Sequence, residues 1–188
     1  MLSHSVNQLY NFIGGWYNDT TLIDQLIKFH KDSPDKLPGK VTAGVDKSIK
    51  QSTDVMLSGD IIKEYSNYLQ KSIDEYIKEY PFCNHYSPFK VIQAANVQHY
   101  KPNEGFVAWH TERAKTKEPH CSRHLVFMTY LNTVTDGGET EFFHQKIKIK
   151  PEKGLTLIWP ADWTFTHRGI TSPTQEKYII TGWLNYVE

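Results

Sequence analysis

The chain has 188 residues, 13% of them aromatic, and 21 basic side chains balance 21 acidic ones for a formal net charge of zero. That balance, with lysines spread along the chain, provides no overall field toward nucleic acid or an anionic membrane. No apolar run approaches the length of a membrane span. The length suits one domain with a core large enough to need neither disulfides nor a structural metal. Cys83 and Cys121 are the only cysteines and are expected to be free thiols. Met1-Leu2-Ser3-His4 has neither a basic start nor an apolar h-region, so a cytoplasmic location is expected.

Helical signals come first along the chain. Asn18, Asp19 and Thr20 offer N-caps to a segment whose Leu22, Ile23, Leu26, Ile27 and Phe29 fall mostly on one face. Ser33-Pro34 and Pro38-Gly39 end it. Ser58-Gly59-Asp60 precedes a longer helix with Ile61, Ile62, Tyr65, Tyr68, Leu69, Ile73, Tyr76, Ile77 and Tyr80, which Pro81 stops.

From about Phe89 the texture becomes short β-rich runs: Val91 to Tyr100, Phe106 to Thr111, Leu125 to Leu131, Glu139 to His144, Lys146 to Lys150, Leu155 to Trp159, Thr164 to Ile170 and Lys177 to Val187. About eight strands in ~100 residues predict a mainly β chain with helical support, built on a jelly roll with the helices packed outside. Residues 1–188 read as a single domain, with 1–85 as N-terminal helical support and 86–188 as the β core.

Two stretches carry the chemistry. His110-Thr111-Glu112 places an imidazole and a carboxylate two apart, so on an extended backbone both project to one side. His167, on a late strand, supplies a second imidazole. Two histidines and one carboxylate form a facial set that leaves positions of a ferrous ion open for substrate and oxygen. The triplet alone often arises by chance; its strand context and a distal lysine give it weight. A competing cluster, His120-Cys121-Ser122-Arg123-His124, has zinc-ligand residue types but no second pair to close a tetrahedron. His99 should turn away from Tyr100, and His4, His30, His85 and His144 have no ligand-like context.

On the last run, Lys177, Ile179, Thr181 and Trp183 share one face, and Tyr178, Ile180, Gly182 and Leu184 the other. Both faces are largely apolar, as in a central strand. A lysine there either reaches solvent or is buried against an anion, because a buried ammonium without a partner is costly. An anionic co-substrate of the metal would be such a partner. Thr181 could add a hydroxyl, as could Tyr100 and Tyr130.

The stretch from Val97 to Tyr186 resembles the catalytic core of prolyl 4-hydroxylase-type 2-oxoglutarate/Fe(II) oxygenases. The matching pieces are Tyr100 ten residues before His110, Tyr130-Leu131-Asn132, Gly137-Gly138-Glu139-Thr140, and His167 with Lys177 and Trp183. The resemblance implies a double-stranded β-helix with His110, Glu112 and His167 as catalytic iron ligands. It implies Lys177 as partner of the distal 2-oxoglutarate carboxylate, helped by Tyr100 and Thr140. Tyr130 and Thr181 belong to the same pocket, Trp183 lines it, and Arg123 stands near the substrate. Fe(II), 2-oxoglutarate and O2 are the implied cofactors, and the family alone suggests ascorbate. The family usually has aspartate where this chain has Glu112; the added methylene displaces the carboxylate by roughly a bond length. The implied activity is hydroxylation of an unactivated C–H bond, most simply of a prolyl residue in a peptide or protein. A free amino acid or other small molecule is the alternative substrate, and a non-catalytic jelly-roll binding module is a third reading. No nucleic-acid or membrane partner is expected. Trp159, Trp163 and Arg168 flank the expected site and could grip an extended peptide.

Overall fold

The computed structural model describes residues 1–8, 10–41 and 44–188. In chain order the elements are β1 (Leu2–Ser3), β2 (Gly14–Tyr17), α1 (Thr21–Asp32), β3 (Leu37–Pro38), β4 (Thr53–Met56), α2 (Asp60–Glu79) and β5 (Phe89–Lys90). There follow β6 (Asn96–Tyr100), β7 (Arg123–Tyr130), β8 (Thr140–Phe142), β9 (Ile147–Ile149), β10 (Leu155–Pro160), β11 (His167–Gly169) and β12 (Lys177–Tyr186).

A nine-stranded sheet runs β1-β2-β10-β7-β12-β6-β4-β3, with β5 paired to the end of β12, and a three-stranded sheet runs β11-β8-β9. Every pairing among these strands is antiparallel. This is the jelly-roll core that the strand pattern predicts, with both helices packed on the outer face of the large sheet.

Alternation on the central strands sorts two cores. Leu125 and Phe127 of β7, with Tyr178, Ile180 and Leu184 of β12, meet Ile23 and Leu26 of α1 and Tyr65, Leu69, Ile73 and Tyr76 of α2. The opposite faces, with Val126, Met128, Tyr130 and Ile179, meet Phe142, Ile149, Leu157 and Trp159 between the sheets. The tyrosines of α2 end on sheet and loop acceptors: Tyr65 Oη lies 2.9 Å from Thr129 Oγ1 and Tyr68 Oη donates to the Gly154 carbonyl at 3.0 Å. Buried phenols are thereby satisfied, and the helix register on the sheet is pinned. At the start of α1, the Asp19 carboxylate accepts the Thr21 backbone N–H at 2.8 Å.

Three features depart from the sequence reading. Phe106–Thr111 forms no continuous strand; it is tied down at two isolated bridges, Lys50 to Phe106 and His110 to His167. Thr164 to Ile170 begins as a 3-10 turn over Trp163–Phe165, and only His167–Gly169 is strand. The first half also supplies strands, β2 along β10 and β4 along β6, in addition to its helices. These pieces are two to four residues long, too short to show a period in sequence. No helix of the described residues is long and apolar enough to cross a membrane.

Candidate active site

His110 and His167 sit directly opposite each other across one antiparallel bridge. The His110 N–H donates to the His167 carbonyl at 3.0 Å and the His167 N–H returns the bond at 2.9 Å. A mutual pair of this kind places two side chains on the same face, and the imidazole centroids lie 4.3 Å apart. Glu112, two residues after His110, brings its Oε1 to 3.6 Å from each Nε2. Among the described residues these three are the group of histidine, cysteine and acidic side chains that could share an ion, their ligand atoms all within 4.8 Å of one another.

The tautomers suit a metal. His110 Nδ1 donates to the Ala108 carbonyl and His167 Nδ1 to the Phe165 carbonyl, each at 2.9 Å, so both Nε2 atoms face Glu112 and are the ones that can ligate once deprotonated. Burial alone would raise the Glu112 carboxyl, but the hydrogen-bonding and charge of His110, with His167 and Arg123, outweigh it and hold it at about 2. Burial, then the neighbouring His110, pushes His167 down to about 4. A neutral imidazole and an ionised carboxylate are the protonation states a divalent ion needs. The residues therefore fit the ferrous ion that the ligand set implies.

The set opens into a cavity of about 550 Å³ between the two sheets. Register fixes its large-sheet wall: Tyr100 beside Lys177, Gln98 beside Ile179 and Asn96 beside Thr181. Lys177 is 5% exposed, with Nζ donating to the Gly138 carbonyl at 2.9 Å and lying 5.1 Å from the Tyr100 ring centroid. Burial lowers its ammonium to about 8, with Glu139 opposing only in part. A cation so buried, holding one neutral acceptor, is a ready counter-charge for an anion in the cavity.

The remaining expected site residues divide by position. Thr140 lines the cavity; its Oγ1 accepts the Tyr130 hydroxyl proton at 2.6 Å and donates its own to Met128 Sδ at 4.0 Å, a long contact that a cavity ligand can replace. Tyr130 is fully buried behind it. Tyr100 lines the cavity, but its hydroxyl donates to Gln98 Oε1 at 2.6 Å. The Thr181 hydroxyl is likewise committed, to the Phe127 carbonyl at 3.1 Å. Trp183 lines the cavity with its Nε1–H donating to Glu112 Oε2 at 2.9 Å. Arg123 is buried behind Glu112, donating to its backbone carbonyl at 3.0 Å and to Gln93 Oε1 at 3.0 Å, so it does not face the cavity as a substrate contact would. Of the flanking residues, Arg168 lines the cavity and stacks 4.4 Å over Trp109. Trp159 is buried and lines the cavity, whereas Trp163 is exposed outside it.

The competing zinc reading finds no support in the geometry. Cys121 Sγ hydrogen-bonds Glu118, and His124 Nε2 donates to the Cys83 carbonyl. His99 turns to the opposite face and stacks on Tyr178.

The residues of one wall were not named from sequence, although the family resemblance puts a loop over the active site at Lys47 to Leu57. Asp54 Oδ2 accepts Lys50 Nζ at 2.9 Å and Asn96 Nδ2 at 3.1 Å, and its Oδ1 accepts Ser52 Oγ at 2.7 Å. Gln98 Nε2 continues the chain to Asn96 Oδ1 at 3.1 Å. The signal available was period two: Asn96, Gln98 and Tyr100 share one face of β6. Phe106, stacked on His110 at 3.6 Å between centroids, carried no such signal.

Residues 95–185 match the family model described as the 2OG-Fe(II) oxygenase superfamily. The matched stretch holds His110, Glu112 and His167 and is similar to 2OG-Fe(II) oxygenase domains. Among curated proteins, none matches the chain. Solved structures share its fold. A prolyl hydroxylase from Trichoplax adhaerens, in complex with a hypoxia inducible factor oxygen degradation domain peptide, superposes with TM-score 0.75 at 20% identity, over 96% of this chain and 87% of that one. A Pseudomonas putida prolyl-4-hydroxylase gives 0.71 at 14% identity over 95% of each chain. The viral collagen prolyl hydroxylase of Paramecium Bursaria Chlorella virus-1, as its 2OG complex, gives 0.70 at 20% identity over 95% of this chain and 98% of that one.

Proposed function

We propose that this protein hydroxylates an unactivated C–H bond with Fe(II), 2-oxoglutarate and O2, and that its substrate is a prolyl residue of a peptide or protein. One observation carries the reading: a facial set of two Nε2 atoms and one carboxylate oxygen opens into the same cavity as a buried, nearly unpartnered ammonium. His110, Glu112 and His167 would hold the ferrous ion. When bound, iron with 2-oxoglutarate and O2 supplies the oxidising chemistry, giving succinate and CO2 as co-products.

The chain's own residues do the rest. Lys177 Nζ takes the distal carboxylate of the co-substrate, and the Thr140 hydroxyl, oriented by Tyr130, adds a donor. Met128, Ile179 and Trp159 line the cavity with apolar surface that limits water around the reacting atoms. Arg168 at the cavity wall offers a cation to a passing peptide. The peptide bound by the Trichoplax structural neighbour supports this choice of substrate.

His167→Ala should abolish substrate-dependent succinate formation, measured with the protein loaded anaerobically with Fe(II); turnover persisting in that variant overturns the reading. Mass spectrometry for the gain of one oxygen atom, over a panel of prolyl peptides, free amino acids and other metabolites, decides the substrate. Modification confined to the small molecules would replace the prolyl assignment.

A further inference from the structure

Glu112 divides its two oxygens between different tasks. Oε1 faces both imidazoles at 3.6 Å. Oε2 points the other way, accepting the Trp183 indole N–H at 2.9 Å with Arg123 Nη1 at 3.3 Å. Those two partners are themselves locked together. The Arg123 guanidinium lies 3.5 Å from the Trp183 ring centroid, in a cation–π stack. Its Nη1 also donates to the Glu112 backbone carbonyl at 3.0 Å, and Nη2 donates to Gln93 Oε1 at 3.0 Å. Gln93 in turn donates to Asn185 Oδ1 at 3.0 Å. The assembly rests on β7 and β12, the neighbouring central strands, where Trp183 pairs with Val126 and Asn185 with Arg123.

From this we infer that Arg123 and Trp183 are positioning residues, which fix Glu112 as a one-oxygen ligand, and that the site is built to the length of glutamate. A carboxylate with one oxygen held by two rigid donors cannot swing to chelate through both, so a coordination position stays open. The donors sit at the reach of a glutamate from the residue-112 backbone. An aspartate there is shorter by one methylene, about 1.5 Å. It can keep Oε2-type contacts with Trp183 and Arg123 or offer an oxygen to the imidazoles, not both, because a 2.9 Å hydrogen bond lengthened by that amount is no longer one. The aspartate usual at this position in the resembling family would therefore serve this chain worse than its own glutamate.

The inference rests on the metal reading above, and the test separates the two. Full-length protein, wild type and the variants Glu112→Asp, Trp183→Phe and the double variant, is titrated anaerobically with Fe(II) by calorimetry and with Co(II) by visible absorption, which reports coordination. Thermal denaturation confirms that each is folded; Trp183→Phe keeps a six-membered aromatic ring beside Arg123 but loses the indole N–H donor together with the five-membered ring. Expected are losses of about ten- to hundredfold in metal affinity for each single variant, an altered Co(II) spectrum, and a double variant no worse than Glu112→Asp alone. That non-additivity marks a shared contact. Wild-type binding with Glu112→Asp equal or tighter, or with Trp183→Phe unchanged in both affinity and spectrum, overturns the inference alone. Failure of the wild type to bind Fe(II) or Co(II) overturns the metal reading itself.

Discussion

Lys177 shows how a single residue can couple fold and chemistry. Its ammonium is buried with the Gly138 carbonyl as its hydrogen-bond partner, and burial has brought it to about 8. The charged groups around it are few: Glu139 acts on it through space, and Tyr100 presents a ring face. A dicarboxylate bound there as proposed would favour the protonated form and so raise the pKa in the complex. The sign then follows. Co-substrate affinity should be flat below the free-state value near 8 and fall about tenfold per pH unit above it. Calorimetric titration of 2-oxoglutarate into the Mn(II)-loaded protein between pH 7 and about 9.5 checks this, and a flat profile would remove Lys177 from the anion site. Lys177→Met should cost about 2–5 kcal/mol of co-substrate binding, while the ligand-free protein melts no lower, since a poorly solvated charge has been removed. Residue type and strand face made this lysine legible in sequence. The committed hydroxyls of Tyr100 and Thr181 were not, because their acceptors, Gln98 and the Phe127 carbonyl, are set by local geometry.

At the scale of elements, the turn before β8 deserves comparison with the strand it serves. Gly137 has φ of +114°, and a Cβ there would come within 2.5 Å of the Thr171 carbonyl oxygen. Gly138, at φ +78°, then presents its carbonyl to Lys177. Gly137→Ala should therefore cost about 1–3 kcal/mol of stability and weaken 2-oxoglutarate binding as well, read by urea denaturation and by co-substrate titration on the same variant. Loss of stability with unchanged binding would show that the turn does not position the Lys177 partner. The Gly-Gly pair was visible in sequence as part of the Gly137-Gly138-Glu139-Thr140 piece of the family resemblance. The faces of β12 were visible too, since period two survives burial on both sides. The segment from Phe106 to Thr111 read as a strand because its residue types suit one. It has only bridge contacts, to Lys50 and His167, and strand character requires a partner along its length.

For the whole molecule, the first half of the chain closes the site that the second half builds. β4 lies on β6, and the Lys50–Asp54 pair it brings is 2.9 Å long with side chains 4% and 11% exposed. Asp54→Asn leaves Lys50 as an uncompensated buried charge, expected to cost about 3–5 kcal/mol. Chemical denaturation measures that loss; a change below about 1 kcal/mol would mean the pair is solvated and does not hold the wall. The sequence by itself determined the jelly-roll class, the faces of the central strands, the two helices and the types of the candidate metal-ligating side chains. These follow from periodicity and chemistry that act within a few residues. Only the tertiary structure decided that His110 faces His167 across one bridge, that β4 walls the cavity, and that Oε2 of Glu112 belongs to Trp183, 71 residues away. Such contacts join segments whose proximity is fixed by the packing of sheets, and no local pattern encodes which distant donor will be in reach.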